Sequence, residues 1–310
     1  MSKTVRKMQN KLKVQDLIGE FVNEKRLEGL GKFAIEAIEF TLYKFFQYYK
    51  RGFDEGEELG KAVRTFLTDG KGNEYYNKQL SILSRFFKHC IAMELLKENP
   101  CQGLKYKKHT RRIVDLDKTV IKELLKLPDQ KTFAGFRNWV LMILILDTGI
   151  RPYEALQLRI SDFRETLIWI RPEISKTRQE RFLPLSKGTI SAIKKLIAVR
   201  HDEWEKNGYI FCGFEGEQLS HKTMQYQFRQ YSKRLGTKVT LYDLRHTFAL
   251  WYIRNNGNAF SLQAILGHTT MEMTRVYVQL VEADISNNHA QASPINTLLS
   301  EQHRLNKIKR

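Results

Sequence analysis

Apolar residues recur at helical spacing through the first third of the chain. Val14, Leu17, Ile18, Phe21 and Val22 form one set, and Ile35, Ile38, Leu42, Phe45 and Tyr49 a second. Leu59, Val63 and Phe66 form a third, and Leu80, Leu83, Phe87 and Ile91 a fourth. Steps of three and four residues place each set on one helix face with polar residues opposite, so each helix should bury a stripe. Gly70 and Gly72 separate the third set from the fourth. Asn99-Pro100 is expected to end the fourth helix, because proline disfavours a helical residue before it. The pattern predicts a four-helix domain over about residues 12–100.

A short basic stretch follows, Lys105-Tyr106-Lys107-Lys108-His109-Thr110-Arg111-Arg112. As a connector between domains it would run along a phosphate backbone, with Lys105, Lys107, Lys108, Arg111 and Arg112 as the contacts. A second domain starts near Val114. Leu141 to Leu146 reads as a buried helix. Leu167 to Ile170 and Arg181 to Leu185 read as strands, with Lys176 to Glu180 as the turn between them. Helical patterns then cover about 189–206, 221–235, 241–256, 261–266 and 270–284. Residues 285–293 are polar; Ser293-Pro294 offers a further helix start, and Ile295, Leu298 and Leu299 form a small apolar stripe. The expected fold is mainly α with a small antiparallel β-sheet in the C-terminal domain. Its boundaries are 1–112, 113–292 and a tail, 293–310.

Composition narrows the partner. The chain has 52 Lys and Arg against 34 Asp and Glu, a net charge of +18. An excess of that size favours a polyanion, nucleic acid first and an anionic membrane surface second. The longest apolar run, Trp139 to Leu146, is well short of the roughly 20 residues of a spanning helix. The opening MSKTVRKMQNK lacks the apolar core of a signal peptide. Cys90, Cys101 and Cys212 are odd in number and show no metal-type spacing, so they read as buried or idle thiols in a reducing cytosol. No HExxH and no paired Cys/His spacing occurs, and no zinc or other cofactor is expected.

Three segments carry candidate chemistry. Moving a phosphodiester needs a nucleophile in line with phosphorus, cations for the non-bridging oxygens and an acid for the leaving oxygen. Arginine suits the cationic task because its planar fork matches two phosphate oxygens. In Asp147-Thr148-Gly149-Ile150-Arg151-Pro152-Tyr153-Glu154, Pro152 can open a helix and so places Arg151 at its N-terminus, with Glu154 set to orient the guanidinium. The same segment also reads as a surface Arg–Glu pair at a helix joint. In Leu241-Tyr242-Asp243-Leu244-Arg245-His246, two cations enter an otherwise apolar helix, for phosphate contact or for an internal ion pair with Asp243. In Leu266-Gly267-His268-Thr269-Thr270-Met271-Glu272, Gly267 can end a helix, and Thr269 with Glu272 has capping-box spacing for the next, which carries Tyr277. A lone tyrosine inside a helix is also an ordinary core residue.

Taken together, in order and spacing, these segments resemble the tyrosine recombinase (phage integrase) family. That family has an arginine after a Thr-Gly turn, a lysine in a β-hairpin, an H-x-x-R motif and a Leu-Gly-His motif followed nine residues later by a tyrosine. Tyr277 stands nine residues after His268, and Lys176 precedes Arg181 in Lys-Thr-Arg-Gln-Glu-Arg-Phe-Leu-Pro-Leu, which is similar to the hairpin. The agreement runs over about residues 140–280. The resemblance implies a two-domain enzyme, with residues 1–112 binding core DNA and 113–292 catalysing strand breakage and rejoining. Arg151 and Arg245 would clamp the scissile phosphate, Lys176 would protonate the leaving 5′ oxygen, His268 would hydrogen-bond a phosphate oxygen, and Tyr277 would form a 3′-phosphotyrosine. It also implies double-stranded recombination sites as substrate, a tetramer on two duplexes with the tail linking protomers, one class of core DNA site, and a cytoplasmic, nucleoid-associated location with no membrane partner. The departure is Tyr242, which stands where the family has the histidine of H-x-x-R. A phenol is a poorer proton acceptor near neutrality than an imidazole, so His246 becomes a second candidate for that task. A type IB-like topoisomerase and a catalytically inactive DNA-binding protein remain open as alternatives.

Overall fold

The computed structural model describes residues 3–51, 57–68, 72–108 and 113–281, with Ser293. They fall into two compact units that divide between residues 111 and 112. Arg111, Arg112 and the apolar stripe of the tail lie outside the described residues.

The first unit contains helices α1 (Lys3–Leu27), α2 (Lys32–Tyr48), α3 (Glu57–Leu67) and α4 (Asn73–Ala92). The stripes read from the sequence are the faces that meet: Ile18, Phe21, Leu42, Phe45, Val63, Leu83 and Phe87 are almost fully buried in one cluster. Phe45 lies at its centre, edge-on to Phe66 at 5.2 Å and to Phe87 at 6.0 Å. Burial of each such ring contributes roughly 1.5–3 kcal/mol, which is what fixes these amphipathic helices on one another. Asn99-Pro100 does not end α4. The helix stops at Ala92, where Glu94 turns left-handed at φ 59° and Leu95 N–H reaches back to the Cys90 carbonyl at 2.9 Å. That Schellman closure does the work expected of proline. Asn99 instead fastens the following turn, donating to the Ser84 carbonyl at 3.0 Å and accepting from Cys101 N–H at 2.9 Å.

The basic stretch runs back along α4. Tyr76 Oη donates to the Lys105 carbonyl, Asn77 exchanges two hydrogen bonds of 2.8 Å with the Lys107 backbone, and Asn73 donates to the Lys108 carbonyl at 2.8 Å. Backbone polarity is thus spent on α4, and the lysine side chains are exposed.

The second unit contains α5 (Lys118–Lys126), α6 (Phe133–Thr148), α7 (Pro152–Ala155), β1 (Phe163–Arg164), β2 (Leu167–Ile170), β3 (Arg181–Pro184), α8 (Lys187–Ala198), α9 (His221–Leu235), α10 (Leu241–Arg254), α11 (Ala259–Leu266) and α12 (Met271–Leu280). Helix α6 is apolar nearly all round and forms the centre of the core, with Val140, Leu141, Met142, Leu144 and Ile145 inaccessible and α8 and α10 packed against it. The sheet is antiparallel in the order β1-β2-β3, and Ile170 lies opposite Arg181. Ile168, Ile170 and Leu183 face the core, while Phe182 faces out. The fold is therefore mainly α with a small antiparallel sheet. Helix α8 is shorter than its pattern predicts: Arg200 donates to the carbonyls of Glu205 and Tyr209 and folds the following residues into turns. All three cysteines are buried and free, and burial pushes Cys90 and Cys101 up to about 12, so both stay protonated. Among the described residues no helix is long and apolar enough to cross a membrane.

Candidate active site

The site is assembled from three turns. The first follows α6, which ends at Gly149 in the left-handed region at φ 61°. A Cβ there would lie 2.3 Å from Phe248 and 2.7 Å from Leu266, so both conformation and space require glycine. The chain reverses, Pro152 opens α7, and Arg151 becomes its N-cap. Glu154 is only 1% exposed and accepts from Arg151 twice, from backbone N–H at 3.3 Å and from Nη1 at 3.0 Å. The pair is internal, so the reading as a surface pair fails.

The second is the start of α10. Thr240 and Asp243 form a reciprocal cap: Asp243 N–H donates to Thr240 Oγ1 at 3.3 Å, and Thr240 N–H donates to Asp243 Oδ2 at 2.8 Å. Asp243 is thereby used, and no carboxylate forms an ion pair with Arg245 among the described residues. Arg245 is 4% exposed and donates instead to the carbonyls of Gly149 and, at 3.0 Å, Leu266.

The third turn joins α11 to α12. Gly267 caps α11 at φ 61°, and His268 follows with Nε2 3.2 Å from Arg245 Nη2 and Nδ1 2.8 Å from Thr274 Oγ1. A guanidinium only donates, so Nε2 accepts and the ring proton sits on Nδ1 toward Thr274. The capping box expected of Thr269 and Glu272 does not form. Helix α12 begins one residue later, after Thr270, which has no side-chain cap. Two turns inside α12, Tyr277 is 4% exposed within an apolar cluster of Ala249, Leu250, Leu262 and Leu266. Its hydroxyl lies 2.8 Å from His246 Nδ1, and its ring stacks on His268.

Arg151, Arg245, His246, His268 and Tyr277 are thus brought together. Lys176 is exposed in the β2–β3 connection, and Tyr242 is 45% exposed in the first turn of α10. Neither hydrogen-bonds to the cluster among the described residues. One residue of the cluster is not marked by the sequence motifs: Arg181, which donates from Nη2 to Glu154 Oε2 at 2.5 Å and from Nε to the Ile265 carbonyl at 3.0 Å. Its signal was strand alternation, since Arg181 shares the inward face of β3 with Leu183.

Electrostatics follow from this packing. Burial pushes the Glu154 carboxyl up, but the Arg181 hydrogen bond and the charges of Arg181, Arg151 and Arg245 outweigh it and hold the group below its ordinary value. Burial, with Arg151 and Arg181 close by, pulls Arg245 down to about 9, still high enough to keep its charge at neutrality. Burial also lowers His246, with Arg245 adding to the effect and Asp243 opposing it. A buried cationic pocket beside a tyrosine hydroxyl in contact with a neutral imidazole is chemically equipped to bind an anion and to activate an oxygen nucleophile.

Residues 115–283 match the phage integrase family. The chain belongs to that family. The matched span contains all three turns and Arg151, Arg181, Arg245, His246, His268 and Tyr277. Among similar phage integrase relatives is the tyrosine recombinase XerC of Thermodesulfovibrio yellowstonii, 25% identical over 86% of this chain and 92% of its own length. The tyrosine recombinase XerA of Pyrococcus horikoshii is 24% identical over 92% of this chain and 96% of its own. The fold is that of solved integrases. The Tn1549 transposon integrase, in complex with a circular intermediate DNA, matches with a TM-score of 0.70 over 85% of this chain and 94% of its own, at 17% identity. A lambda integrase dimer bound to a COC′ core site matches with a TM-score of 0.69 over 84% and 96%, at 18% identity.

Proposed function

We propose that this phage integrase family member is a site-specific DNA recombinase that breaks and rejoins strands through a 3′-phosphotyrosine on Tyr277. The observation that carries the reading is the Tyr277 hydroxyl, 2.8 Å from His246 and beside the buried arginines. Tyr277 Oη attacks phosphorus and its proton passes to His246 Nδ1. The new Tyr–O–P bond replaces the bond to the 5′ oxygen, which leaves with a proton from Lys176. Arg151 and Arg245 hold the non-bridging oxygens, since each guanidinium has N–H groups beyond those spent on the protein. His268, whose Nε2 accepts from Arg245, orients that guanidinium toward the phosphate, and Tyr242 offers its exposed hydroxyl to the same phosphate. Rejoining is the reverse, so the bond energy is kept and no ATP is consumed.

The substrate is double-stranded DNA bearing recombination sites, acted on in the cytoplasm for integration, excision or resolution. The first unit with its basic stretch binds core DNA, and four copies assemble on two duplexes. The test is capture: the chain is incubated with fragmented genomic DNA and adducts that resist SDS are sequenced. An adduct on Tyr277 at a defined sequence, and strand exchange between two duplexes carrying it, are the expected results. Absence of any adduct from the parent chain rejects the reading.

A further inference from the structure

Arg181 is a charged side chain held almost out of solvent at the start of β3, and nothing in the cleavage chemistry above uses it. Its guanidinium forks onto Glu154, Nη2 to Oε2 at 2.5 Å and Nη1 to Oε1 at 3.3 Å. Glu154 Oε1 is the same oxygen that takes Arg151 Nη1 at 3.0 Å. The carboxylate is therefore shared between two arginines, one of which faces the proposed phosphate site. The three arginines also converge on the turn before His268. Arg181 donates to the carbonyl of Ile265 at 3.0 Å, Arg245 to that of Leu266 at 3.0 Å, and Arg151 to that of Gly267 at 2.9 Å. The packing is close: a Cβ on Gly267 would lie 3.2 Å from the Arg181 guanidinium.

Stability alone does not account for this arrangement. A buried ion pair roughly offsets its own desolvation, and apolar residues of the same volume serve a core as well or better. A third guanidinium adds a like charge to a buried pocket that already holds two, which is costly unless an anion completes it. Arg151, Arg181 and Arg245 against the single carboxylate of Glu154 leave two positive charges. A phosphodiester attacked by a phenolate reaches a transition state with two negative charges. Interactions that match the transition state better than the bound diester accelerate cleavage.

We propose that Arg181 is a positioning residue for strand cleavage: by sharing Glu154 with Arg151 and fastening the Ile265 carbonyl, it sets the direction in which the Arg151 guanidinium meets the scissile phosphate. Without Arg181, Glu154 has one cation left and takes Arg151 with both oxygens, turning the fork away from the phosphate. Because Arg181 opens β3 directly after the Lys176 loop, the same contact anchors the downstream end of that loop to the clamp. The inference rests on the recombinase reading, and the parent chain serves as its control.

The experiment uses the full chain and a nicked duplex built on the sequence captured with the parent. Single-turnover adduct formation and duplex affinity are measured for Arg181→Met and Arg181→Lys, each alone and combined with Glu154→Gln, with melting curves for all. Arg181→Met is expected to slow cleavage roughly tenfold or more at saturating duplex while affinity changes by less than about threefold, as for loss of a transition-state contact. In the Glu154→Gln background the same change should cost less than about threefold, because there is no carboxylate left to misdirect Arg151. Arg181→Lys should fall between parent and Arg181→Met, since an ammonium keeps the charge and lacks the fork. If Arg181→Met loses its fold, Arg181→Lys carries the test. A parent chain that forms no adduct overturns the recombinase reading itself. An active parent with Arg181→Lys as fast as it, or an Arg181→Met defect equal in both backgrounds, overturns the positioning role.

Discussion

The Nδ1 atom of His246, on α10, lies 2.8 Å from the hydroxyl of Tyr277, on α12. Burial holds that imidazole below its ordinary 6.5, so at neutral pH it is uncharged and able to accept a proton. Protonation removes the acceptor. Cleavage should therefore fall as pH drops through a midpoint below the ordinary imidazole value, and be flat above it until other groups titrate. His246→Gln should lower the rate by about 10²–10⁴, the usual contribution of a positioned base, and abolish this acid limb. The check is a pH profile of single-turnover adduct formation; an unchanged limb in the variant assigns it to another group.

Tyr277→Phe removes one oxygen from a buried ring and leaves its packing on Leu262 and Leu266 in place. Duplex binding should be kept, thermal stability should fall by about 1 kcal/mol for the lost hydrogen bond, and no covalent adduct should form. An SDS-resistant complex with labelled duplex in this variant would move the nucleophile elsewhere.

Much of this was legible in the sequence because local rules and tertiary structure agree. The apolar stripes around Phe45 and Leu83 have one way to be buried, and Gly149 and Gly267 mark the turns that place Arg151 and His268. The rest depends on contacts distant along the chain. Arg181 meets a carboxylate 27 residues away, and its inward orientation is set by the pairing of β3 with β2. The two residues of β1 are too short for a periodicity to stand out. Thr269 and Glu272 have capping spacing, yet α12 starts one residue later, and Thr274 in its first turns is the partner of His268. Tyr242 is 45% exposed, and what the sequence could not show is that His246, one turn on along α10, lies 2.8 Å from the Tyr277 hydroxyl.

The two clamp arginines should separate in stability though not in chemistry. Arg151→Ala and Arg245→Ala should each slow cleavage by about 10² or more, as expected for removal of one electrostatic stabiliser. Arg151→Ala leaves Glu154 paired with Arg181 and frees only the half-buried Gly267 carbonyl, which water can reach, so it should melt closer to the parent than Arg245→Ala. Arg245→Ala strips donors from the carbonyls of Gly149 and Leu266 and should lose about 1–3 kcal/mol for each group left unsatisfied. Near-parental cleavage by either variant rules that residue out of the clamp.

Tyr242→Phe separates a phosphate contact from a bystander. The side chain is exposed, so stability should change by less than about 0.5 kcal/mol. A hydroxyl donated to a charged phosphate contributes about 1.5–3 kcal/mol, so its loss should slow cleavage roughly tenfold or more. Equal rates for the variant and the parent would show that the hydroxyl never reaches the phosphate.

The basic stretch makes a prediction that separates charge from path. Its backbone is held by Asn73, Tyr76 and Asn77 of α4, and the ammonium of Lys107 lies 4.1 Å from the centre of the Tyr76 ring. Lys105 and Lys108 are exposed. Replacing either of these two by alanine leaves the path intact and removes one charge. Each should weaken duplex binding and flatten the slope of log affinity against log salt by about 0.9, the contribution of one neutralised phosphate. Asn77→Ala does the opposite: it keeps every charge and releases the Lys107 backbone, so affinity should fall with little change in slope. Titrating a labelled duplex at salt between about 50 and 200 mM distinguishes the two effects. An unchanged slope in both lysine variants would mean that this stretch lies away from the phosphates, and that the charge which draws the chain to DNA sits elsewhere.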